Sequence, residues 1–171
     1  SIMKIVEKLD AGPVMKKIKI KINKLSTTEE ISKSLSKISA KSIVKILDDI
    51  FNKKLKFINQ NHKLATYAKK IEKSEAKINW NESAKEILAK INGLNPSPGA
   101  WFIYKETRYK IWRAKIVEMR GTSGTIIDKK FTVGCGDKSL EFIEIQKEGK
   151  NRLSLKNFLT GIVFNQGDEL K

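Results

Sequence analysis

The chain has 171 residues, of which 40% are apolar, so it can build the core of one medium domain or of two small ones. No stretch approaches the roughly 18 unbroken apolar residues of a membrane-spanning helix, and the start lacks a secretory leader, so we expect a soluble, cytoplasmic chain with no membrane partner. The single cysteine, Cys135, excludes an internal disulfide, and the single histidine, His62, has no second ligand nearby, so we expect no bound metal.

The formal net charge of +16 suggests a polyanionic partner, such as nucleic acid or an anionic membrane surface. A compositional explanation is equally open, because lysine, isoleucine and asparagine are abundant throughout, as an AT-rich genome produces. Only four of the 35 basic residues are arginines: Arg108, Arg113, Arg120 and Arg152. Charge alone does not choose between the two explanations.

The first part of the chain predicts an incomplete α/β domain over residues 1 to 52. Ser1 opens directly into a strand-like run, so we expect the chain to begin inside a larger protein. Residues 14 to 22 are predicted to be a half-buried strand, because lysine and isoleucine alternate from Lys17 to Ile22. Thr27 followed by Glu30 resembles a capping box, and the apolar spacing beyond it predicts a helix from about 27 to 51. Two strands and one helix cannot complete such a sheet.

Residues 53 to 96 are predicted to be a basic linker and a connecting helix. The linker, residues 53 to 77, has eight lysines against two glutamates. The helix is expected to be capped by Asn81 and to end at Gly93, with one apolar face. The run from Asn95 to Gly99, rich in proline and glycine, marks the boundary.

Residues 97 to 171 are predicted to form a small β domain, either a barrel or a sandwich. A short helix over residues 154 to 159 follows the strands. Most of the aromatic residues on the strands are expected to face the core, because alternation turns them inward. The predicted strands cover residues 101 to 104, 109 to 117, 124 to 127, 131 to 135 and 139 to 145.

The run Leu9-Asp10-Ala11-Gly12-Pro13 lies between the two predicted strands. Taken alone, such a run is most often a simple turn, in which Asp10 accepts backbone hydrogen bonds and Gly12 supplies a positive φ. A catalytic role for Asp10 is the less common alternative.

Its context resembles the methionyl-tRNA formyltransferase family. The order strand, Leu-Asp-x-Gly-Pro, alternating strand and Thr-capped helix is similar to the second half of the formyltransferase domain. Similar motifs continue downstream over residues 76 to 80, 95 to 101, 109 to 114, 124 to 126, 135 to 137, 145 to 150 and 157 to 161. The resemblance implies an α/β plus β protein, with part of a Rossmann-like formyltransferase domain followed by an OB-like C-terminal barrel.

The resemblance also implies a reaction, namely transfer of a formyl group from 10-formyltetrahydrofolate to the amino group of methionyl initiator tRNA. The family's centre uses an asparagine, a histidine and an aspartate, and Asp10 matches the aspartate. An aspartate of this kind orients the histidine, which stabilises the developing oxyanion together with the asparagine. The asparagine and histidine motifs of the family precede this one, so the chain alone is expected to be inactive. His62, in a polar run, is interpreted as an ordinary solvated histidine.

We expect the tRNA to meet basic residues of the linker and barrel, and we expect a monomer. Residues 97 to 171 hold 14 Lys and Arg against 9 Asp and Glu, whereas residues 1 to 96 hold 21 against 10, so most of the excess charge precedes the barrel. The candidate tRNA-binding residues are Lys69, Lys70, Lys73, Lys77, Lys147, Lys150 and Arg152. Two alternatives stay open: a formyltransferase for a sugar nucleotide or free metabolite, and a stand-alone RNA-binding module.

Overall fold

The structure is a computed structural model that describes residues 1 to 52 and 54 to 171. Lys53, the first residue of the predicted linker, lies outside the described residues. The chain forms two compact units, which are described separately: a first unit of Ser1–Lys24 with Glu30–Lys70, and a second unit of Leu25–Glu29 with Ile71–Lys171.

A small antiparallel pair opens the first unit. Strand β1 (Ile2–Met3) pairs with β2 (Val14–Lys16), and Val14 also exchanges backbone hydrogen bonds with Ile58. The strand predicted over residues 14 to 22 is therefore much shorter than expected. Beyond Lys16 the rest of this run pairs with no strand among the described residues, and Ile22 is 63% exposed. Alternation alone does not make a strand without a partner to accept its hydrogen bonds.

Helix α1 (Thr28–Phe51) agrees closely with the helix predicted from about 27 to 51. Its apolar positions are largely uncovered by the described residues. Ile46 is buried, whereas Leu35, Leu47 and Ile50 are 39 to 43% exposed. A 3-10 turn (His62–Leu64) follows within the residues predicted as linker.

The second unit contains a five-stranded sheet. Its strands are β3 (Ala100–Tyr104), β4 (Thr107–Val117), β5 (Thr132–Gly134), β6 (Ser139–Lys147) and β7 (Leu153–Ser154). The order is β3-β4-β6-β5, with β7 paired to β6, and every pairing is antiparallel. Lys105 and Glu106 join β3 to β4, both at positive φ, which fits the twist of a two-residue hairpin turn.

The prediction of a strand over residues 124 to 127 is wrong, because this segment forms only isolated β-bridges. Thr125 pairs with Glu169, and Ile126 pairs with Val133. The short β7 takes a place in the sheet that the pattern did not predict. Among the described residues, no ladder joins β5 to β3, so the sheet is not seen to close on itself.

Helix α2 (Ala84–Gly93) ends where predicted but is capped differently. Its N-cap is Ser83, not Asn81: the Ser83 hydroxyl accepts a hydrogen bond from Glu86 N–H, and the Glu86 carboxylate accepts one from Ser83 N–H. This reciprocal pair satisfies two free amide groups of the first turn. Hydrogen bonds from Ser83 lower the pKa of Glu86 below its ordinary value.

The Cys-Gly-Asp turn packs against the start of α2. Asp137 Oδ1 accepts a hydrogen bond of 2.8 Å from Ala84 N–H. A Cβ on Gly136 would lie 2.3 Å from the Asn81 carbonyl oxygen, so only glycine permits this approach. The turn thus holds α2 on the sheet. The short helix α3 (Leu155–Phe158), with Ser154 as its N-cap, agrees with the prediction over 154 to 159.

The core of the second unit is aromatic, as alternation predicted for most of the strand aromatics. Phe102 stacks with Tyr109 at 5.6 Å between ring centroids, and Phe131 meets Phe164 at 4.4 Å. Trp101, on the opposite face of β3 from Phe102, is only half-buried. The buried face of α2 joins this cluster through Ala84, Ile87, Leu88 and Ile91.

Candidate functional site

The loop between β1 and β2 carries Asp10 in a left-handed backbone conformation, with φ of 52°. Aspartate tolerates this region better than most residues. The sequence had suggested that Gly12 would supply the positive φ, and this is wrong. Gly12 is required for space, because a Cβ there would lie 1.8 Å from the Lys4 carbonyl oxygen. Lys4 N–H then donates to the Pro13 carbonyl at 3.0 Å and closes the loop.

Gln60 fixes this loop from a distant part of the chain. Its side-chain amide donates to the carbonyl oxygens of Asp10 and Gly12, at 2.8 and 2.7 Å. The neighbouring pairing of Val14 with Ile58 brings Gln60 to this position. No local pattern in the sequence indicates this contact, since Gln60 lies in the polar run interpreted as linker.

The side chain of Asp10 is exposed. Its carboxylate accepts no hydrogen bond from the described residues, so the loop fixes the backbone and leaves the acid available to a further partner. An aspartate held in this way can orient an imidazole and stabilise its charged form. It cannot by itself stabilise an oxyanion, because a carboxylate carries the wrong charge.

His62 is exposed at the start of the 3-10 turn. Asn61 caps that turn by accepting a hydrogen bond from Lys63 N–H. The position agrees with the interpretation of His62 as a solvated histidine, and we assign it no chemistry.

The end of the basic segment is attached to β3 in the second unit. Trp101 Nε1 donates to the Lys73 carbonyl at 2.9 Å. Trp101 N–H donates to the Ala76 carbonyl at 2.9 Å, and Ile78 N–H donates to the Trp101 carbonyl at 2.8 Å. Lys73 and Lys77 are therefore held along the edge of the sheet.

Lys147 is the last residue of β6, Lys150 lies in the turn that follows, and Arg152 lies just beyond that turn. Gln146 joins this turn to the sheet, because its amide donates to the Lys150 carbonyl at 2.6 Å and its oxygen accepts from Trp112 Nε1 at 3.0 Å. The Arg152 guanidinium pairs with the Glu144 carboxylate.

The candidate tRNA-binding residues divide between the two units. Lys69 and Lys70 lie in the first unit. The second unit holds Lys73, Lys77, Lys147, Lys150 and Arg152. Arg108 and Lys110, on the same sheet face as Trp101, were not among the candidates, although their alternation along β4 could have indicated them.

The described residues contain no group of three or more His, Cys, Asp or Glu placed to hold a metal ion. Among those same residues, no helix has both the length and the apolar character needed to cross a membrane. Burial raises the pKa of Cys135 to about 12, which keeps its thiol protonated and unreactive at neutral pH.

The second unit, an aromatic sheet-based domain with a docked helix, contains nearly all of a region that matches a known formyltransferase family. Residues 70 to 163 match the family described as "Formyl transferase, C-terminal domain", and the chain belongs to that family.

Curated relatives extend the likeness along almost the whole chain. The methionyl-tRNA formyltransferase of Pelagibacter ubique (strain HTCC1062) is 44% identical over 99% of this chain and 55% of its own length. The methionyl-tRNA formyltransferase of Carboxydothermus hydrogenoformans is 37% identical over 94% of this chain and 54% of its own length. The chain thus spans about half the length of the curated relatives that it matches.

Two solved structures share the fold at low sequence identity. HypX from Aquifex aeolicus, in complex with tetrahydrofolic acid, matches 99% of this chain and 33% of its own, with a TM-score of 0.72 and 16% identity. An N-formyltransferase from Helicobacter canadensis, in complex with folinic acid and dTDP-3-aminofucose, matches 82% of this chain and 53% of its own, with a TM-score of 0.61 and 17% identity.

Proposed function

We propose that this chain is part of an enzyme that transfers a formyl group from 10-formyltetrahydrofolate to the amino group of methionyl initiator tRNA. The observation that supports this most is the 44% identity over 99% of the chain to a relative named methionyl-tRNA formyltransferase. Two units of unlike architecture are consistent with a catalytic part and a C-terminal part. We assign them to a Rossmann-like formyltransferase domain, present in part, and to an OB-like β domain.

Asp10 is proposed to be the catalytic residue contributed by this chain. Its backbone is fixed by Gln60 and by the close approach at Gly12, and its carboxylate is exposed. In the reaction it would orient and charge-stabilise the family's histidine. That histidine and the asparagine would then stabilise the oxyanion that forms when the methionyl amine attacks the formyl carbon.

We propose that the formyl donor and the tRNA bind to different parts of the protein. The bound tetrahydrofolic acid of HypX and folinic acid of the Helicobacter enzyme are ligands of those proteins, and they support a folate donor for an enzyme of this fold. The tRNA is proposed to contact the basic residues Lys69, Lys70, Lys73, Lys77, Lys147, Lys150 and Arg152 through its phosphates. We further propose that the protein acts as a cytoplasmic monomer.

A second candidate substrate class is an amino sugar on a nucleotide. The Helicobacter structure with dTDP-3-aminofucose favours it, because its fold covers 82% of this chain. The net charge of +16 argues against it, since a single sugar nucleotide presents far fewer phosphates than a tRNA.

A chimera tests the proposal directly. The part of the Pelagibacter ubique relative that precedes the matched region is joined to Ser1, and the purified protein is offered 10-formyltetrahydrofolate with either methionyl initiator tRNA or dTDP-3-aminofucose. Formylation of the tRNA alone is expected. Formylation of the sugar nucleotide alone would overturn the proposal, and the intact Pelagibacter enzyme serves as the positive control.

The proposed tRNA surface is tested with charge variants of the chain itself. Replacing Lys69, Lys70, Lys73 and Lys77 with glutamine should flatten the dependence of log affinity on log salt by up to about 0.9 for each phosphate that is no longer neutralised. The set Lys147, Lys150 and Arg152 tests the turn after β6 in the same way. If neither set of replacements changes the salt slope, the net positive charge reflects composition, and the assignment of these residues to a tRNA-binding surface is wrong.

A further inference from the structure

The loop that carries Asp10 makes backbone hydrogen bonds of its own, but these do not involve the Asp10 carbonyl. Lys4 N–H donates to the Pro13 carbonyl at 3.0 Å and closes the ends of the loop. Ala11 N–H donates to the Lys8 carbonyl at 3.3 Å and forms the turn. Asp10 itself has a φ of 52°, in a region that costs free energy unless the surroundings hold the residue there. A contact from outside the loop is therefore needed to fix Asp10.

Gln60 supplies this contact because of the backbone pairing beside the loop. Val14 and Ile58 exchange backbone hydrogen bonds of 2.8 and 2.9 Å. Their bridge is antiparallel, so its register places Gln60 opposite Gly12. From that position the half-buried Gln60 side chain reaches the carbonyl oxygens of both Gly12 and Asp10.

The contact requires a hydrogen-bond donor at the end of the side chain at position 60. Both atoms that face it are backbone carbonyl oxygens, which accept hydrogen bonds and donate none. The amide nitrogen of Gln60 donates to each of them, and a primary amide has one N–H group for each bond. A glutamate there would place carboxylate oxygens against two further acceptors. The chemistry of position 60 is therefore matched to the Asp10 loop.

Building on the proposed formyl transfer, we propose that Gln60 is a positioning residue for this reaction and holds the Asp10 carboxylate in the orientation that its histidine partner requires. The direction of a side chain follows the φ and ψ of its own residue. Gln60 holds the oxygen of the peptide that follows the Asp10 Cα atom, so rotation of that peptide would turn the carboxylate. Both N–H groups of Gln60 are used on the loop, and its effect therefore reaches the reaction through Asp10.

A contribution to overall stability explains the contact less well. The bond from Gln60 to Asp10 is exposed, and an exposed bond that is broken is replaced by bonds to water, so its net contribution to folding is small. Orientation is more sensitive, because a catalytic group that is misplaced by about 1 Å can lose roughly a hundredfold in rate. The main consequence of losing Gln60 is therefore expected in the rate.

The test compares the chimera with the Pelagibacter segment with its Gln60→Met variant, which keeps about the same side-chain length and removes both N–H groups. The kcat for formylation of methionyl initiator tRNA should fall by roughly tenfold or more, because the Asp10 carboxylate is no longer held in place. The KM values for the tRNA and for the formyl donor should stay near those of the parent. Asn59→Leu, a similar replacement of a neighbouring exposed amide, is the control and should leave kcat unchanged.

A double variant separates positioning of Asp10 from a general structural role. If Gln60 acts through Asp10, Gln60→Met should have no further effect on the rate in a chimera that already carries Asp10→Ala, because the effects of coupled residues do not add. Single-turnover measurements with excess enzyme make the slow rate of that background measurable. Gln60→Glu is a second variant of similar size and should lose at least as much rate as Gln60→Met, since it turns a donor into an acceptor.

An unchanged kcat in Gln60→Met and Gln60→Glu would overturn the positioning role. An equal loss with and without the Asp10 carboxylate would also overturn it, since Gln60 would then act on the fold rather than on Asp10. A raised KM for tRNA with an unchanged kcat would have the same consequence. A parent chimera that transfers no formyl group to tRNA would instead count against the proposed function.

Discussion

The side-chain amide of Gln60 donates a hydrogen bond of 2.8 Å to the carbonyl oxygen of Asp10, fifty residues earlier in the chain. The same amide donates a second hydrogen bond of 2.7 Å to the Gly12 carbonyl, so Gln60 fixes the loop between β1 and β2 at two points. The loop's conformation therefore depends on a residue that no local pattern connects with it.

Replacing Gln60 with alanine should loosen this loop while leaving the second unit unchanged. Each neutral hydrogen bond contributes about 1 kcal/mol net, so amide exchange in residues 4 to 14 should quicken by roughly tenfold or more. Hydrogen exchange with mass spectrometry measures this. Asn59→Ala, a neighbouring exposed amide, is the control. If amide exchange in Gln60→Ala equals that of the parent, the loop keeps its conformation without the hydrogen bonds from Gln60.

The 171-residue chain alone should show no formyl transfer, because groups that stabilise one transition state act as a unit. In the chimera with the Pelagibacter segment, Asp10→Ala should lower kcat by roughly a hundredfold or more while leaving tRNA affinity near the parent value. Glu7→Ala, an exposed acid of the same loop, is the control. A large loss of tRNA binding in Asp10→Ala would make Asp10 a structural residue.

Elements with strong local signals were predictable from the sequence. Helix α2 ends at Gly93 as expected, because a glycine after an apolar face is a local stop signal. Its start was misplaced because Asn81 and Ser83 both suit an N-cap, and only the reciprocal bond with Glu86 decides between them.

Features that depend on distant partners were not predictable. The alternation beyond Lys16 has no pairing strand among the described residues, and Ile126 joins Val133 by a single bridge rather than a ladder. Of the candidate site, Asp10 was proposed from a motif, whereas the contact of Gln60 with the Asp10 loop is made only in the folded chain.

Limited proteolysis should leave a resistant piece that begins near residue 71. The second unit includes Ile71–Lys171, and Trp101 anchors the chain at Lys73, Ala76 and Ile78. Lysines at 54, 56, 63, 69 and 70 supply trypsin sites before it. Intact mass of the resistant fragment gives the boundary. A fragment beginning near residue 97 would show that the anchoring by Trp101 is weak in solution.

The stability of the second unit should fall in acid partly through Asp137. Hydrogen bonds from Ala84 N–H, and then from Lys138 N–H, lower the pKa of Asp137 below its ordinary value. A group whose folded pKa is depressed stabilises the fold above its unfolded pKa and loses that effect as pH falls through the folded pKa. An asparagine at position 137 would retain an oxygen that accepts these hydrogen bonds, but it would carry no charge and would not titrate.

Asp137→Asn should therefore have a lower Tm than the parent at pH 7, and the difference should shrink as pH falls below the ordinary aspartate pKa of about 3.9. Thermal unfolding of the resistant fragment, followed by circular dichroism across this pH range, measures the effect. Glu106→Gln, which removes one charge from the exposed hairpin turn, should show no comparable loss. A Tm difference that is the same at every pH would mean that shape rather than charge at position 137 holds the turn against α2.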